Sequence, residues 1–247
     1  MLVLLPPSET KAPGGGGPPL ALDSLSFPEL NPTRAKLAGE LVALADDVPA
    51  ALAALGLSER QAGELARNAA LWTSPTVPAL RRYTGVLYDA LDAGSLRRAE
   101  RARAGARLMV ASALFGLLGG DDAVPAYRLS AGSALPGLGA MRAVWRPALG
   151  PVLGGLGGLV VDLRSSPYAA LAPVADAVTV RVLSEDDSGR RSTVSHHNKA
   201  HKGRLARLLA AAPREPSDAA GVARIARRGG LRVERSRQRA LDIVVAR

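Results

Sequence analysis

The chain has 247 residues, 47% of them hydrophobic, enough apolar material for a sizeable core in one domain spanning 1–247. It contains no cysteine, which excludes disulfides, thiolate metal sites and a cysteine nucleophile; it has no apolar run of membrane-spanning length, and its opening MLVLLPP lacks the basic start of a signal peptide, so a cytoplasmic location and no membrane partner are expected. The net charge of +10 is concentrated at one end, with 15 Lys or Arg against 4 Asp or Glu from Arg190 to Arg247 and 17 against 18 before it; DNA or a phosphate-rich ligand is the expected partner, a solvated surface or an anionic small-molecule pocket the alternatives.

Leu2 to Leu5 is apolar and ends at Pro6 and Pro7, the pattern of a buried first strand. Ser8, Glu9, Thr10 and Lys11 follow, a hydroxyl, a base and a cation where open sheets place ligand contacts, at the carboxyl end of a strand. The run Gly14 to Gly17 lacks the Gly-Lys-Ser/Thr of a phosphate loop and is expected to be a plain loop. Leucines at 37, 41 and 44 mark a helix, and Ser58 with Gln61 forms the capping box of a second one reaching Leu71. After a loop over 73–78, Tyr83 and Tyr88 flank Gly85; core packing is the favoured role, with Tyr83 also a candidate contact.

The stretch 95–118 is charged in its first half and apolar from Leu108 onward, and is expected to be one long helix, stopped by Gly119 and Gly120. The carboxylates Asp121 and Asp122 and then Pro125, Tyr127 and Arg128 give 114–135 the composition of a binding or catalytic segment; the alternative is a connector in which Arg128 pairs with Asp121 or Asp122. LPGLGAMRA, Leu135 to Ala143, has the spacing of the hairpin in helix-hairpin-helix modules, where backbone N–H groups around Gly137 and Gly139 face a DNA phosphate. Leu159 to Leu163 is expected to be a strand leading to DLRSSPY, and Val178 to Leu183 another, returning through the turn 184–189 along Thr193 to His197. A helix then opens at NKAHKGRLARLL with Lys199, Lys202 and Arg204 near its start, where cations oppose the helix dipole and call for an anionic partner. His196 and His197 would point to opposite faces of a strand, and no ligating cluster accompanies them or His201, so neither a metal nor another cofactor is expected. The tail from Gly230 is a hairpin with ALDIVVA as its apolar strand.

The ordered blocks LVLLPPSETK, YTGVLYDAL, SALFGLLGGDDAVPAYRLSAGSAL, VVDLRSSPY and SHHNKAHKGRLARLL, with the Pro-x-Tyr-Arg-Leu string at their centre, resemble the YaaA-like peroxide-stress family nearly end to end. The resemblance implies an α+β fold, a single mixed-sheet domain flanked by helices, with a positively charged cleft. It further implies a helix-hairpin-helix element, DNA binding, and a link to oxidative stress and lowered free iron, without a settled enzymatic activity. Departures accompany it. The family's Ala-Lys-Thr stands as Ser8, Glu9 and Thr10, its lysine lost or displaced to Lys11, while an acidic group is missing at Val86 and a cation at Gly119.

Two functions follow. In the first, the basic end and the 135–143 hairpin hold DNA, with Lys199, Lys202 and Arg204 on phosphates. In the second, an enzyme acts on a nucleobase, a nucleotide-like metabolite or another small anion in a pocket built from Glu9, Arg128, Arg164 and Lys199. There Glu9 is the acid–base group, Arg128 and Arg164 clamp the anion, and Tyr127 and Ser165 orient it, with Ser8, Lys11 and Tyr168 as further contacts.

Overall fold

A computed structural model of the chain describes residues 1–193 and 198–246. In chain order its principal strands are β1 (Leu2–Leu5), β2 (Leu108–Ser112), β3 (Gly116–Gly119), β4 (Val160–Asp162), β5 (Val178–Glu185), β6 (Arg191–Thr193), β7 (Val233–Arg237) and β8 (Ala240–Ala246). They form one mixed sheet in the order β7-β8-β5-β4-β1-β2-β3, with β6 paired to β5. The inner strands β8, β5, β4, β1 and β2 run parallel, and the edges β7 and β3 run antiparallel to their neighbours. The architecture is therefore α+β, a mixed central sheet flanked by helices.

LVLL occupies the middle of the sheet because it is apolar at every position, as a parallel strand covered on both faces requires; Val3, Leu4 and Leu5 are wholly buried. The principal helices are α1 (Asn31–Leu44), α2 (Val86–Leu91), α3 (Arg98–Arg107), α4 (Met141–Gly154), α5 (Asn198–Ala211) and α6 (Ala219–Arg228). Leu37, Leu41 and Leu44 form the buried stripe of α1, as their spacing predicts. The Ser58–Gln61 box is present, with Ser58 N and Oγ both donating to Gln61 Oε1, and it opens a 3₁₀ segment, Glu59–Glu64, that runs into a short helix, Leu65–Ala69. Gly203 lets α5 lie directly against α2, since a Cβ there would collide with the carbonyl oxygen of Leu87.

The long helix expected over 95–118 is not formed. Helix α3 ends at Arg107, and the apolar half becomes β2, a tight turn and β3. The cause lies in the run LMVASALFGLLGG, which is apolar all round and so carries no helical face; buried on both sides, it satisfies its backbone in the sheet instead. Gly116 makes the turn possible. Its φ of +74° is costly for other residues, and an added Cβ would stand 2.6 Å from the Trp145 ring, so glycine is required twice over. Gly119 ends β3 and does not cap a helix, and the Asp122 carboxylate accepts the N–H of Gly119 and both the N–H and the hydroxyl of Ser26. The loop expected over 73–78 contains Val77–Pro78, which pairs with Ala123–Val124.

Irregular connectors are held by buried arginines. Arg34, fully buried, donates to the carbonyls of Phe115, Leu117 and Ser26 and to Asn31 Oδ1. Arg82 does the same for Ala12, Gly14, Pro75 and Val124, and Arg107 for the open carbonyls Leu209, Ala210 and Ala212 at the end of α5.

Candidate functional site

Because β1, β2 and β4 are parallel and adjacent, their carboxyl ends share one edge of the sheet, and the segments leaving them, 6–11, 113–115 and 163–168, converge there. Thr10 to Ala12 is fastened to Arg82–Thr84 by hydrogen bonds from Ala12 N to Arg82 O, 2.8 Å, and from Thr84 N to Thr10 O, 3.3 Å. Lys11 and Tyr83 are opposed in an antiparallel bridge, which brings their side chains to the same side. The ammonium nitrogen of Lys11 then lies 4.2 Å from the centre of the Tyr127 ring and 5.4 Å from that of Tyr83, and it donates to the carbonyls of Ser8, 3.1 Å, and Glu9, 3.5 Å.

Lys11 is only 6% exposed. Among the described residues it has no ion-pair partner. Burial is the main reason its pKa falls from 10.5 to about 7; Glu9 and Glu64 oppose the shift, and Arg128 and Arg67 add to it. Around neutral pH the amine is thus divided between its charged and neutral forms. Beneath it the phenol of Tyr127 stands 2.8 Å from that of Tyr83 and 2.7 Å from Ser112 Oγ. Ser112 Oγ accepts the N–H groups of Leu114 and Phe115, so its own proton goes to Tyr127. Tyr127 must then donate to Tyr83, which leaves the Tyr83 proton as the free end of the chain. Both phenols stay protonated, as burial pushes Tyr83 up to about 12 and Tyr127 well above its ordinary value.

Above this floor Glu9 and Thr10 are exposed, and Ser8, Thr84 and Arg128 are half-buried. Arg128 forms an ion pair with Glu9 Oε2 at 3.0 Å and reaches the Glu9 carbonyl at 3.5 Å, with the Glu9 side chain 52% exposed. The hydroxyls of Ser8 and Thr84 each lie 3.1 Å from that of Thr10. Gly85 borders this side, its φ of +92° disfavouring any other residue, and the Ser8 and Thr10 hydroxyls lie at ordinary contact distance from where its Cβ would be.

The family model for the peroxide stress protein YaaA matches residues 1–234. The chain belongs to the YaaA family. Similar members are the UPF0246 proteins of Corynebacterium efficiens, 49% identical with 99% of this chain and all of the relative covered, and of Streptomyces coelicolor, 47% identical with 95% and 92% covered. A UPF0246 protein of Corynebacterium glutamicum is 48% identical over 95% of each chain.

The YaaA-family fold brings some of the sequence-predicted residues together and disperses others. Ser8, Glu9, Lys11, Tyr83, Tyr127 and Arg128 meet as described. Arg128 pairs with Glu9, not with Asp121 or Asp122; Asp121 instead pairs with Arg101. Arg164, expected as an anion clamp, is turned inward. Its fork is closed on Asp162 at 3.0 and 2.8 Å, its third nitrogen faces the carbonyls of Tyr168 and Ala172, and its side chain is 2% exposed, so four of its five N–H donors are engaged inside the fold and the guanidinium is not presented to a ligand. Ser165 precedes the short helix Ser166–Ala169 and its carbonyl accepts from Ala169; Tyr168 is buried, and burial followed by nearby Glu9 raises its pKa.

Lys202 lies against the same edge, but its amine donates to Leu163 O at 3.1 Å, and burial lowers its pKa. Lys199 and Arg204 are exposed on α5, without ion-pair partners among the described residues. Of the return strand expected over Thr193 to His197, Thr193 is the last residue of β6, Arg191–Thr193, which pairs antiparallel with β5; residues 194–197, with His196 and His197, lie outside the described residues. The 135–143 hairpin is present as a two-residue ladder, Ala134–Leu135 with Gly139–Ala140, leading into α4, but residues 125–133 before it are not helical. Gly137 N–H donates to Glu40 Oε1 at 2.7 Å, while Gly139 is exposed with φ +79°.

Ser112 and Thr84 belong to the site although sequence reasoning did not single them out. Ser112 could have been found as the one hydroxyl inside LMVASALF, since a polar group there needs a partner. A cavity of about 670 Å³ opens elsewhere, at the amino ends of β4 and β5, beside Asp218, Arg235 and Arg239. It contains none of the residues predicted for the site, and it lacks a buried reactive group.

Proposed function

We propose that this YaaA-family chain binds and acts on a small anionic ligand at the carboxyl edge of its sheet, above Lys11. The observation that carries this reading is the Glu9–Arg128 pair, a guanidinium near a buried amine whose one ion-pair partner among the described residues is a solvent-exposed carboxylate. Such an exposed pair contributes only about 0–1 kcal/mol. A phosphate or carboxylate can therefore take the place of Glu9 at little cost, while the hydroxyls of Ser8, Thr10 and Thr84 supply short-range polar contacts. This favours the small-anion reading over DNA binding, because two groups named for DNA have internal partners: Lys202 serves Leu163 O, and the N–H of Gly137 faces the Glu40 carboxylate.

Calorimetric titration with inorganic phosphate and with a nucleoside monophosphate tests the reading. Binding is expected to saturate at one site and to be lost in Arg128→Ala, while K199A/R204A leaves it unchanged. Saturable binding that is indifferent to Arg128 would reject it. DNA binding through exposed Lys199 and Arg204 is the second reading, favoured by their freedom from ion pairs among the described residues. It requires duplex affinity that falls steeply with salt and drops in K199A/R204A.

A further inference from the structure

Resting on the small-anion reading above, we infer that Lys11 is a Schiff-base nucleophile and that the ligand is a small carbonyl compound carrying a carboxylate or phosphate. The carbonyl carbon would meet Lys11 Nζ and the anionic group would meet Arg128. An amine becomes a useful nucleophile when it is withdrawn from water and left without a carboxylate partner, since both conditions favour its neutral form. Lys11 meets both: its contacts are two aromatic faces and two carbonyl oxygens of its own loop, none of which can take its proton. The charged groups around it are Glu9 and Glu64 on one side of the balance and Arg128 and Arg67 on the other, so they largely offset, and burial decides.

The hydrogen-bond chain beneath supplies the acid. Addition of the neutral amine forms the C–N bond and places the carbonyl π pair on oxygen, which takes up one of the two amine protons to give a carbinolamine. The hydroxyl then leaves as water with a proton lent by the Tyr83 phenol, and Tyr83 recovers one from the nitrogen. Amine and carbonyl thus become imine and water with no net proton gained or lost. While Tyr83 lacks its proton, the resulting phenolate keeps the hydrogen bond donated by Tyr127, which in turn receives the Ser112 proton. The direction of this chain is set by Leu114 and Phe115, whose N–H groups occupy the Ser112 oxygen. The mouth above fits the anionic half of the ligand, because the ion-pair partner of Arg128 among the described residues is the exchangeable Glu9 carboxylate.

Reductive trapping of the full chain tests the inference. Glyoxylate, an aldehyde joined to a carboxylate, is added with borohydride, and the modified lysine is located by peptide mapping, which is simple because the chain has only Lys11, Lys36, Lys199 and Lys202. Labelling is expected at Lys11 ahead of exposed Lys36 and Lys199, rising with pH as the amine loses its proton and slowed by inorganic phosphate. Tyr83→Phe should slow it by about tenfold without altering phosphate binding. Arg128→Ala should slow labelling by glyoxylate but not by the uncharged propionaldehyde. Wild-type labelling confined to Lys36 and Lys199, with phosphate still bound, overturns the Schiff base and leaves the anion site standing. Labelling of Lys11 by both aldehydes alike, with no competition by phosphate, overturns the anion site and supports the reactive amine.

Discussion

Replacing Lys11 by methionine should stabilise the protein at neutral pH and not at alkaline pH. The amine is held at about 7 against 10.5 when exposed, and at about 1.36 kcal/mol per unit the buried charge costs the fold on the order of 4–5 kcal/mol below pH 7. Methionine fills similar space without the charge, but it gives up the bonds to the Ser8 and Glu9 carbonyls, worth about 1–2 kcal/mol together. The variant should therefore gain about 3 kcal/mol near pH 6.5 and lose up to about 1 near pH 10.

The direction follows from which state holds the proton. Between about 7 and 10.5 the unfolded wild-type chain binds a proton that the folded chain lacks, so its stability rises with pH across that window and is level on either side of it. Urea denaturation of both proteins at the two pH values isolates the difference, because the buried tyrosines are common to both. A stability difference that does not change with pH, or a loss near pH 6.5, would refute the reasoning. A gain in stability accompanied by loss of trapping would mark Lys11 as a residue kept for chemistry at the expense of the fold.

Three further substitutions probe the frame around the site. Arg34→Met leaves the carbonyls of Phe115, Leu117 and Ser26 without their buried donor and should cost about 3–5 kcal/mol in urea denaturation; a cost under about 1 would show that water replaces the guanidinium. Gly116→Ala forces a side chain into the Trp145 ring at a left-handed position, and should lower stability by about 2–4 kcal/mol and shift tryptophan fluorescence, whereas an unchanged spectrum would contradict the close contact. Tyr127→Phe breaks the Ser112-to-Tyr83 chain; it should cost about 1 kcal/mol in stability and slow trapping at Lys11, and trapping at the wild-type rate would remove the chain from the mechanism.

Elements that announce themselves locally were legible in the sequence. LVLL followed by two prolines, the leucines of α1 and α5, and ALDIVVA behind a turn each carry their own pattern and form the element expected; the Ser58–Gln61 box forms too, but it opens a 3₁₀ segment and a short helix ending at Ala69 in place of one helix to Leu71. The run 108–119 does not, because an apolar segment shows no period and its choice between helix and strand is made by β1, more than a hundred residues away. The site was half legible for the same reason. That polar groups would gather after the first strand followed from the parallel sheet, and Glu9, Lys11, Tyr127 and Arg128 do gather there. That Lys11 turns inward depends on its bridge to Tyr83, and that Arg164 turns inward depends on Asp162; neither pairing leaves a mark on composition.

The charge asymmetry takes on a different meaning once its partners are counted. In the last quarter, Arg191 and Arg232 form a network with Glu185 and Glu234, Arg207 holds the carbonyls of Leu91 and Asp92, Arg227 that of Val233, and Arg239 pairs with Asp176. These arginines fasten hairpins and helix ends, as Arg34, Arg82 and Arg107 do earlier in the chain. An arginine that donates to backbone carbonyls raises the net charge while offering little to a polyanion, so the excess of +10 overstates the surface available to nucleic acid. Lys11 and Arg128 differ from these residues in a single respect. Neither closes a connector that would otherwise be open: Lys11 points at carbonyls of its own exposed loop, and Arg128 at a carboxylate that solvent can satisfy equally well. Cations whose removal would leave no structural group unsatisfied, held at the carboxyl edge of parallel strands, are the ones a ligand can use.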